Sequence, residues 1–173
     1  EDYGKTWRLI TRGIKAEHFT RVLRADPKRK GLLYAGTETG IYISFDDGLF
    51  WHSFQLNLPI VPITDMTIKD NSLIIATQGR SLWILDDLGL LHQINKKTLS
   101  EDITLFEPKQ SFRTKGSSLK NSLTEGTNLP NGVVVHFNLN DFDSKKDTVR
   151  LHFNDGEGKL IQTFSSIDKK NEL

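Results

Sequence analysis

Short runs of apolar and β-branched residues, separated by Gly, Asp, Asn and Pro, make up the first half of the chain. Four of these runs follow one another at 19–24, 32–37, 40–44 and 51–56. Runs of this length, bounded by turn-forming residues, are typical of β-strands. The pattern therefore predicts four short strands between residues 19 and 56, joined by tight turns.

The same order of runs returns further along the chain. Residues 63–68 lie 44 positions after 19–24, while 74–77 and 82–85 echo the second and third runs. Residues 91–94 are the predicted fourth strand of this second set. Four strands in a unit of about 40 to 45 residues are typical of a β-propeller blade.

An octet, Ser44–Trp51, occupies the turn between the third and fourth predicted strands. Asp46 is placed to accept hydrogen bonds from backbone N–H groups two or three residues ahead. Gly48 permits a backbone conformation that is closed to other residues, and Trp51 begins the next strand. The octet therefore predicts a tight hairpin.

A partial copy of this octet lies earlier in the sequence. Its members are related to the octet by 44 positions: Asp2 to Asp46, Gly4 to Gly48 and Trp7 to Trp51. The residues that follow it, 6–10, are predicted to form a strand. A third acidic pair, Asp86–Asp87, begins the pattern again, but residues 88–91 do not complete it. One blade tail and two blades cannot close a ring, so we expect the missing blades upstream, in a parent chain or a separate fragment.

The pattern changes after residue 95. Residues 96–127 are rich in Ser, Lys, Gly and Asn and are predicted to be an exposed linker with one further strand. The strands predicted beyond residue 95 lie at 103–106, 132–139, 148–153 and 160–164. Three strands within 128–173, two of them joined by a strong turn at 154–158, predict the start of an immunoglobulin-like sandwich, which needs about seven strands.

Composition limits the classes of function. Lys and Arg number 23 against 22 Asp and Glu, so the formal net charge of +1 does not favour nucleic acid or an anionic membrane as a partner. The absence of cysteine excludes disulfides, zinc–thiolate sites and thiol nucleophiles. No apolar run approaches the length of a membrane-spanning helix.

The octet resembles the Asp-box, or bacterial neuraminidase repeat, of sialidases, xyloglucanase-type glycosidases and sortilin-type receptor propellers. Residues 76–88 resemble the closing blade of large exported bacterial proteins of the sortilin-like or BNR-repeat glycosyl hydrolase type, in which an immunoglobulin-like module follows the propeller. That family usually has His where Gln78 stands.

This resemblance implies an all-β fold in three parts. Residues 1–95 would be the C-terminal blades of an Asp-box β-propeller, with four antiparallel strands each. Residues 96–127 would be the linker with an extra strand, and 128–173 an incomplete immunoglobulin-like β-sandwich. The resemblance also implies export to the periplasm, the cell surface or the medium.

In related folds the Asp-box lies on the face away from the active site, so its residues are interpreted as structural rather than catalytic. These residues are Asp2, Gly4, Trp7, Ser44, Asp46, Gly48 and Trp51. The opposite face carries the turns at 38–39 and 78–81 and the link at 58–62.

Arg80 is the best candidate on that opposite face for binding an anion or a sugar carboxylate, because its guanidinium binds bidentately. The alternative is that Arg80 joins neighbouring blades through a carboxylate or backbone carbonyls. Glu38 and Gln78 are further candidates, although Glu38 has no identifiable partner carboxylate of the kind a glycosidase needs.

No catalytic residue, metal site or cofactor is predicted. The five histidines, at 18, 52, 92, 136 and 152, lack metal-ligand spacing and are interpreted as ordinary strand or loop residues. The first functional hypothesis is therefore a non-catalytic interaction or scaffold fragment that binds a protein or glycan on the propeller face. The alternative is part of a glycoside hydrolase whose catalytic carboxylates lie mostly outside this sequence.

Overall fold

The computed structural model describes residues 2–111 and 132–167. This part of the chain is mostly β, in small antiparallel sheets without a closed barrel. In chain order the elements are β1 (Thr20–Ala25), β2 (Leu33–Thr37), β3 (Gly40–Ser44), β4 (His52–Ser53), β5 (Ile63–Lys69), β6 (Ser72–Thr77), β7 (Leu82–Leu85), α1 (Gly89–Gln93), α2 (Lys96–Ser100), β8 (Ile103–Leu105), β9 (Phe137–Leu139), β10 (Arg150–Asn154) and β11 (Leu160–Ser165). Neither of the two helices within the described ranges is long and apolar enough to cross a membrane.

The first sheet contains β1 to β4 in sequence order, with every neighbouring pair antiparallel. A two-residue turn, Glu38–Thr39, joins β2 to β3, and Thr37 pairs with Gly40 across it. The four strands predicted between residues 19 and 56 are therefore confirmed. The fourth is shorter than predicted, since only two of its residues pair with β3.

The second sheet contains β5, β6 and β7, also antiparallel and in sequence order. Its first strand repeats an irregularity of the first sheet. The register shifts between Thr20 and Val22 in β1 and between Ile63 and Asp65 in β5, in each case next to a threonine that ends the following strand. The two sheets therefore share a bulge as well as a strand order.

The two sheets pack against each other through β1, β2 and β5. Side chains from both sheets form one apolar cluster, in which Tyr34, Ile63 and Leu73 are fully buried. Gly36 permits the close approach of β2 to β5, because a Cβ at this position would lie 2.6 Å from Ile63 Cγ2 and 2.7 Å from Val22 Cγ1. The core of this region thus lies between the sheets.

Two predicted strands are wrong. Residues 91–94 do not pair with β7, and the chain instead forms α1, which begins at Gly89. Residues 6–10 pair with no strand of the described ranges, and Trp7 and Leu9 are exposed there.

The remaining strands form two small antiparallel pairs, β8 with β9 and β10 with β11. The extra strand predicted near 103–106 is confirmed, and its partner β9 is shorter than the predicted 132–139. The turn between β10 and β11 is held by Asp155, whose Oδ1 accepts from the backbone N–H groups of Glu157 and Lys159 at 3.0 and 2.8 Å. The parts of the predicted linker and sandwich at 112–131 and 168–173 lie outside the described residues.

Candidate functional site

The Ser44–Trp51 octet forms a tight turn between β3 and β4. The Asp46 carboxylate accepts from the Phe50 backbone N–H at 2.9 Å and from the Ser44 hydroxyl at 2.8 Å. The Ser44 oxygen in turn accepts from the Gly48 N–H at 2.9 Å. Burial raises the pKa of Asp46, but the hydrogen bonds from Phe50 and Ser44 outweigh it and lower the pKa below its usual value. The predicted turn is confirmed, although the bonded N–H lies four residues ahead of Asp46.

The partial octet has the same backbone turn. Tyr3 and Gly4 have φ angles of 57° and 82°, and their repeat partners Asp47 and Gly48 have φ angles of 57° and 80°. Asp2 accepts from the backbone N–H three residues ahead at 3.0 Å. The 44-residue spacing in the sequence therefore corresponds to a repeated conformation.

The two tryptophans of these turns have different environments. Trp51 is 2% exposed, and its Nε1–H donates to the Ile10 carbonyl at 2.6 Å while its backbone N–H donates to the Arg12 carbonyl at 2.8 Å. A Cβ at Gly13 would lie only 2.1 Å from the Trp51 carbonyl oxygen. Trp7 is 90% exposed. The segment after the partial octet is thus held against the tryptophan of the next octet.

The third acidic pair begins the same turn but does not complete it. Asp87 has a φ angle of 58°, like Asp47, but the next residue is Leu88 in place of a glycine. Leu88 has a φ angle of −77°, and its side chain is fully buried. Because a leucine is disfavoured at positive φ, the chain leaves the octet turn here and enters α1.

The β2–β3 and β6–β7 turns lie at one end of the two sheets, which we call the hairpin-tip end. The backbone N–H of Glu38 donates to the Phe19 carbonyl at 3.0 Å, and that of Gln78 donates to the Pro62 carbonyl at 2.9 Å. Each turn is thereby tied to the residue before the first strand of its own sheet. The octet turn follows β3 at the opposite end.

The candidate side chains of the hairpin-tip end differ in their contacts. Glu38 forms an ion pair with Arg21 of β1, with Arg21 Nη2 2.6 Å from Glu38 Oε1. Gln78 and Arg80 are exposed, and the Arg80 carbonyl accepts from Trp83 Nε1–H at 2.9 Å. The Arg80 guanidinium has no hydrogen-bond or ion-pair partner within residues 2–111 and 132–167.

The contact between neighbouring sheets is made by a different arginine, Arg24. Its Nε donates to the Met66 carbonyl at 2.7 Å, and its Nη2 lies 2.6 Å from Asp65 Oδ1. Arg24 belongs to β1, and both partners belong to β5. This is the joining role that the alternative interpretation gave to Arg80.

The link at 58–62 is largely part of the core. Leu58 and Val61 are buried, and the carbonyls of Leu58 and Pro59 accept from Gln55 Nε2 at 2.8 and 2.9 Å. Ile60 is 82% exposed. At the hairpin-tip end the link therefore exposes the apolar side chain of Ile60 and few unbonded polar groups.

A buried polar cluster at the opposite end was not found by sequence reasoning. The Asp26 side chain is 0% exposed. Its Oδ1 accepts from the backbone N–H groups of Lys28 and Arg29 at 2.8 and 3.0 Å. Its Oδ2 lies 3.2 Å from the Tyr34 hydroxyl and 3.0 Å from His92 Nε2. Both carboxylate oxygens therefore already have two partners each.

The hydrogen bonds decide the charge of this cluster. Burial raises the pKa of Asp26, but the hydrogen bonds from His92 and from the Arg29 and Lys28 N–H groups outweigh it, so the pKa is lowered. Burial and the neighbouring Asp26 charge raise the pKa of Tyr34, whose hydroxyl stays protonated. Because an ionised carboxylate only accepts, His92 Nε2 carries a hydrogen.

The cluster holds α1 against the first sheet. His92 and Leu91 both belong to α1, and the Arg29 guanidinium donates to the Leu91 carbonyl. The same guanidinium lies over the Phe45 ring, 5.0 Å from its centroid. We call Asp26, Arg29, Tyr34 and His92 the Asp26 clamp. The interpretation of His92 as an ordinary strand or loop residue is wrong, since it is helical and bonds a buried carboxylate.

A cavity of about 260 Å³ lies beside the Asp26 clamp. Its lining residues are Asp26, Pro27, Lys28, Ile68, Asp70, Asn71 and His92. Lys28 Nζ donates to Asn71 Oδ1 at 3.1 Å. No group of three or more metal-ligating side chains occurs among the described residues. With its acceptors already used, the clamp is suited to joining elements of the fold and poorly suited to proton transfer.

Comparisons with known proteins identify no family for this chain. No protein-family model, curated protein or solved structure matches the chain. The functional assignment therefore depends on the repeated geometry and on how the charged side chains are used.

Proposed function

We propose that the chain is a non-catalytic interaction module, formed by the last units of an Asp-box β-propeller in an exported, sortilin-like protein. Three observations support this proposal. The octet turn recurs with nearly the same φ angles after 44 residues, the two sheets share a bulge and a strand order, and they contact each other through β1, β2 and β5, which would suit neighbouring blades. The ligand would be a protein or a glycan bound at the hairpin-tip end.

The observation that carries the proposal is the contrast between the charged groups at the two ends. At the octet end, Asp46 and Asp26 bond groups of their own fold. At the hairpin-tip end, Arg80 is exposed, with no guanidinium partner among the described residues. A free guanidinium is suited to bidentate recognition of a carboxylate. An acidic glycan or an acidic protein segment is therefore the expected ligand class.

The alternative, a glycoside hydrolase, needs two carboxylates about 5 to 10 Å apart, one of them free to transfer a proton. The candidate carboxylate of the hairpin-tip end, Glu38, is already paired with Arg21. This contact favours binding over hydrolysis for the described part of the chain.

Glycan-array binding tests the proposal. Wild-type protein, Arg80→Ala and a control, Arg150→Ala, would be compared on arrays of acidic and neutral glycans and of acidic peptides. Arg150 is an exposed arginine of β10, far along the chain from the hairpin-tip end. We expect acidic ligands to be retained by wild type and by the control and lost by Arg80→Ala. Equal binding by all three proteins would remove Arg80 from the site.

A further inference from the structure

The cavity beside the Asp26 clamp lies where three elements of the fold meet. Pro27 and Lys28 belong to the connection between β1 and β2, Asp70 to the turn between β5 and β6, and His92 to α1. The volume of this cavity is about 260 Å³. Both sheets and the helix therefore contribute to its walls, and the structure describes all the residues that line it.

Asn71 holds the walls of this cavity in place relative to one another. Its Oδ1 accepts from Lys28 Nζ at 3.1 Å, and its Nδ2 donates to Asp87 Oδ1 at 2.8 Å. Its backbone carbonyl accepts from the Leu88 N–H at 2.8 Å. Asn71 therefore joins the two connections to the segment that begins α1. A site that is held by its own fold loses less conformational freedom when a ligand binds.

Three side chains around the cavity have hydrogen-bonding capacity beyond the contacts described so far. The Lys28 ammonium has three N–H donors and uses one of them in its bond to the amide of the β5–β6 turn. The Asp70 side chain is 85% exposed, and its ion pair with Lys69 Nζ is long, at 4.0 Å. His92 bonds the Asp26 carboxylate through Nε2, so in the neutral ring Nδ1 is an acceptor. The cavity therefore offers one donor group and two acceptor groups.

The charges of these groups narrow the class of ligand. Lys28 is a cation, but the carboxylates of Asp26 and Asp70 also line the cavity, so an anion gains little there. A metal cation needs several free oxygen ligands, and both oxygens of Asp26 already have two partners each. A hydroxyl both donates and accepts, so it suits a mixed set of donors and acceptors. The expected ligand is therefore neutral and rich in hydroxyls.

The size and the apolar part of the cavity narrow the class further. Sites for drug-sized ligands usually span about 300 to 1,000 Å³, so the smaller volume here suits a single ring. Pro27 and Ile68 add an apolar wall to the polar groups. The C–H face of a sugar ring packs against apolar surface while its hydroxyls bond polar side chains, and the cavity provides both kinds of contact.

We propose that this cavity binds one neutral sugar ring. Lys28 donates to one ring hydroxyl, Asp70 and His92 Nδ1 accept from others, and the apolar wall contacts the C–H face of the ring. The ring is a free sugar or the terminal residue of a glycan. This site lies at the opposite end of the sheets from Arg80, so it goes beyond the proposed function and does not depend on it.

NMR titration of the isotopically labelled chain tests the proposal. The probes are the methyl glycosides of glucose, galactose, mannose and N-acetylglucosamine, with acetate and glycine as charged comparisons. We expect at least one glycoside to shift the backbone amide signals of residues 26–28, 68–71 and 92 with a millimolar dissociation constant, and acetate and glycine to leave these signals unchanged. A disaccharide that ends in the same sugar separates the two sources. Binding as tight as that of the glycoside supports the end of a glycan, and weaker binding supports a free sugar.

Two variants remove groups that would bond the sugar. Lys28→Ala removes the donor, and Asp70→Gly removes an acceptor while glycine tolerates the φ of 48° at this position. Lys69→Ala is the matched control, because its ammonium is 72% exposed on the same hairpin and does not line the cavity. Loss of one hydrogen bond should weaken glycoside binding about two- to tenfold in each of the two variants. Lys69→Ala should bind as wild type does.

Three outcomes would overturn the proposal. If no glycoside shifts these signals, the cavity binds no sugar. Larger shifts with acetate or glycine would assign the cavity to a charged ligand. If Arg80→Ala abolished glycoside binding and Lys28→Ala did not weaken it, the sugar would lie at the hairpin-tip end. Because the proposed function concerns Arg80 and acidic ligands, the failure of one site is distinguishable from the failure of the other.

Discussion

The first and second sheets begin alike and end differently. β1 and β5 carry the same bulge, and both β2–β3 and β6–β7 form antiparallel hairpins. After its third strand, the first unit turns through the complete octet into β4, whereas the second unit passes through Asp87 and Leu88 into α1. Two nearly equivalent sheets therefore have different final elements.

The difference follows from one position in the turn and one contact beyond it. Gly48 adopts the positive φ that returns the chain as a strand, but Leu88 has a negative φ and is buried in the core. Once α1 has formed, His92 reaches the buried Asp26 carboxylate of the first unit. The second unit therefore has a helix that contacts the first unit, where the first unit has a strand that pairs within its own sheet.

The largest expected effect comes from removing the attachment of α1. Asp26→Ala leaves the Tyr34 hydroxyl, His92 and two backbone N–H groups without their acceptor. Leaving a buried polar group without its partner costs about 1 to 3 kcal/mol, and because several donors lose their acceptor together we expect a loss of at least that order in the free energy of unfolding. Urea denaturation measures it. Asp86→Ala, at an exposed carboxylate, is the control and should change stability little; equal losses would contradict a special role for the clamp.

A smaller effect should follow from making the first turn resemble the second. Gly48→Leu places a side chain at a φ of 80°, where left-handed backbone costs about 1 to 2 kcal/mol. Gly48→Asn is the matched control, because asparagine tolerates this conformation better. Thermal unfolding should rank the proteins wild type, Gly48→Asn and then Gly48→Leu. If the two variants were equally stable, the turn conformation would not be the cause.

The octet cap should contribute less again. Asp46→Ala removes the acceptor for the Phe50 N–H and the Ser44 hydroxyl, and a lost hydrogen bond of this kind costs about 1 kcal/mol. Asp2→Ala, at the exposed partial octet, should cost less than Asp46→Ala. Urea denaturation of the two variants compares them directly, and a larger loss for Asp2→Ala would contradict the ranking.

The smallest effect is a dependence of stability on acid pH. The pKa of Asp26 is lowered from 3.8 in the folded protein, so the unfolded chain takes up a proton first as pH falls. The stabilisation is therefore fully present above 3.8 and is lost as pH falls through the lower folded value. Unfolding curves between neutral pH and about pH 2 should show this loss in wild type and a reduced loss in Asp26→Asn. Parallel curves would contradict the assignment.

Local patterns in the sequence were sufficient for much of the fold. The octet turn depends on Asp46 and Gly48, which lie two residues apart. Both the turn and its 44-residue repeat can therefore be predicted from the sequence. Strands β1 to β3 and β5 to β7 likewise follow from short apolar runs between turn residues.

Features that depend on residues far apart in the chain could not be predicted from the sequence. Asp26 and His92 are 66 positions apart, and nothing in either local sequence points to the other. The run 91–94 contains apolar residues that suit a strand or a helix, and the conformation of Leu88 decides between them. Similarly, the pairing of Glu38 with Arg21 follows from the β1–β2 register, which the sequence pattern does not specify.

The conformation of residues 88–94 is the most direct test of whether the two units end differently. Backbone chemical shifts and cross-strand nuclear Overhauser effects of the isotopically labelled chain would be measured at neutral pH. We expect helical shifts at 89–93, no cross-strand contacts between 91–94 and β7, and clear contacts between Ile43 and His52 in the first sheet. Extended shifts at 91–94 together with cross-strand contacts to 82–85 would contradict this expectation, because the two units would then end alike.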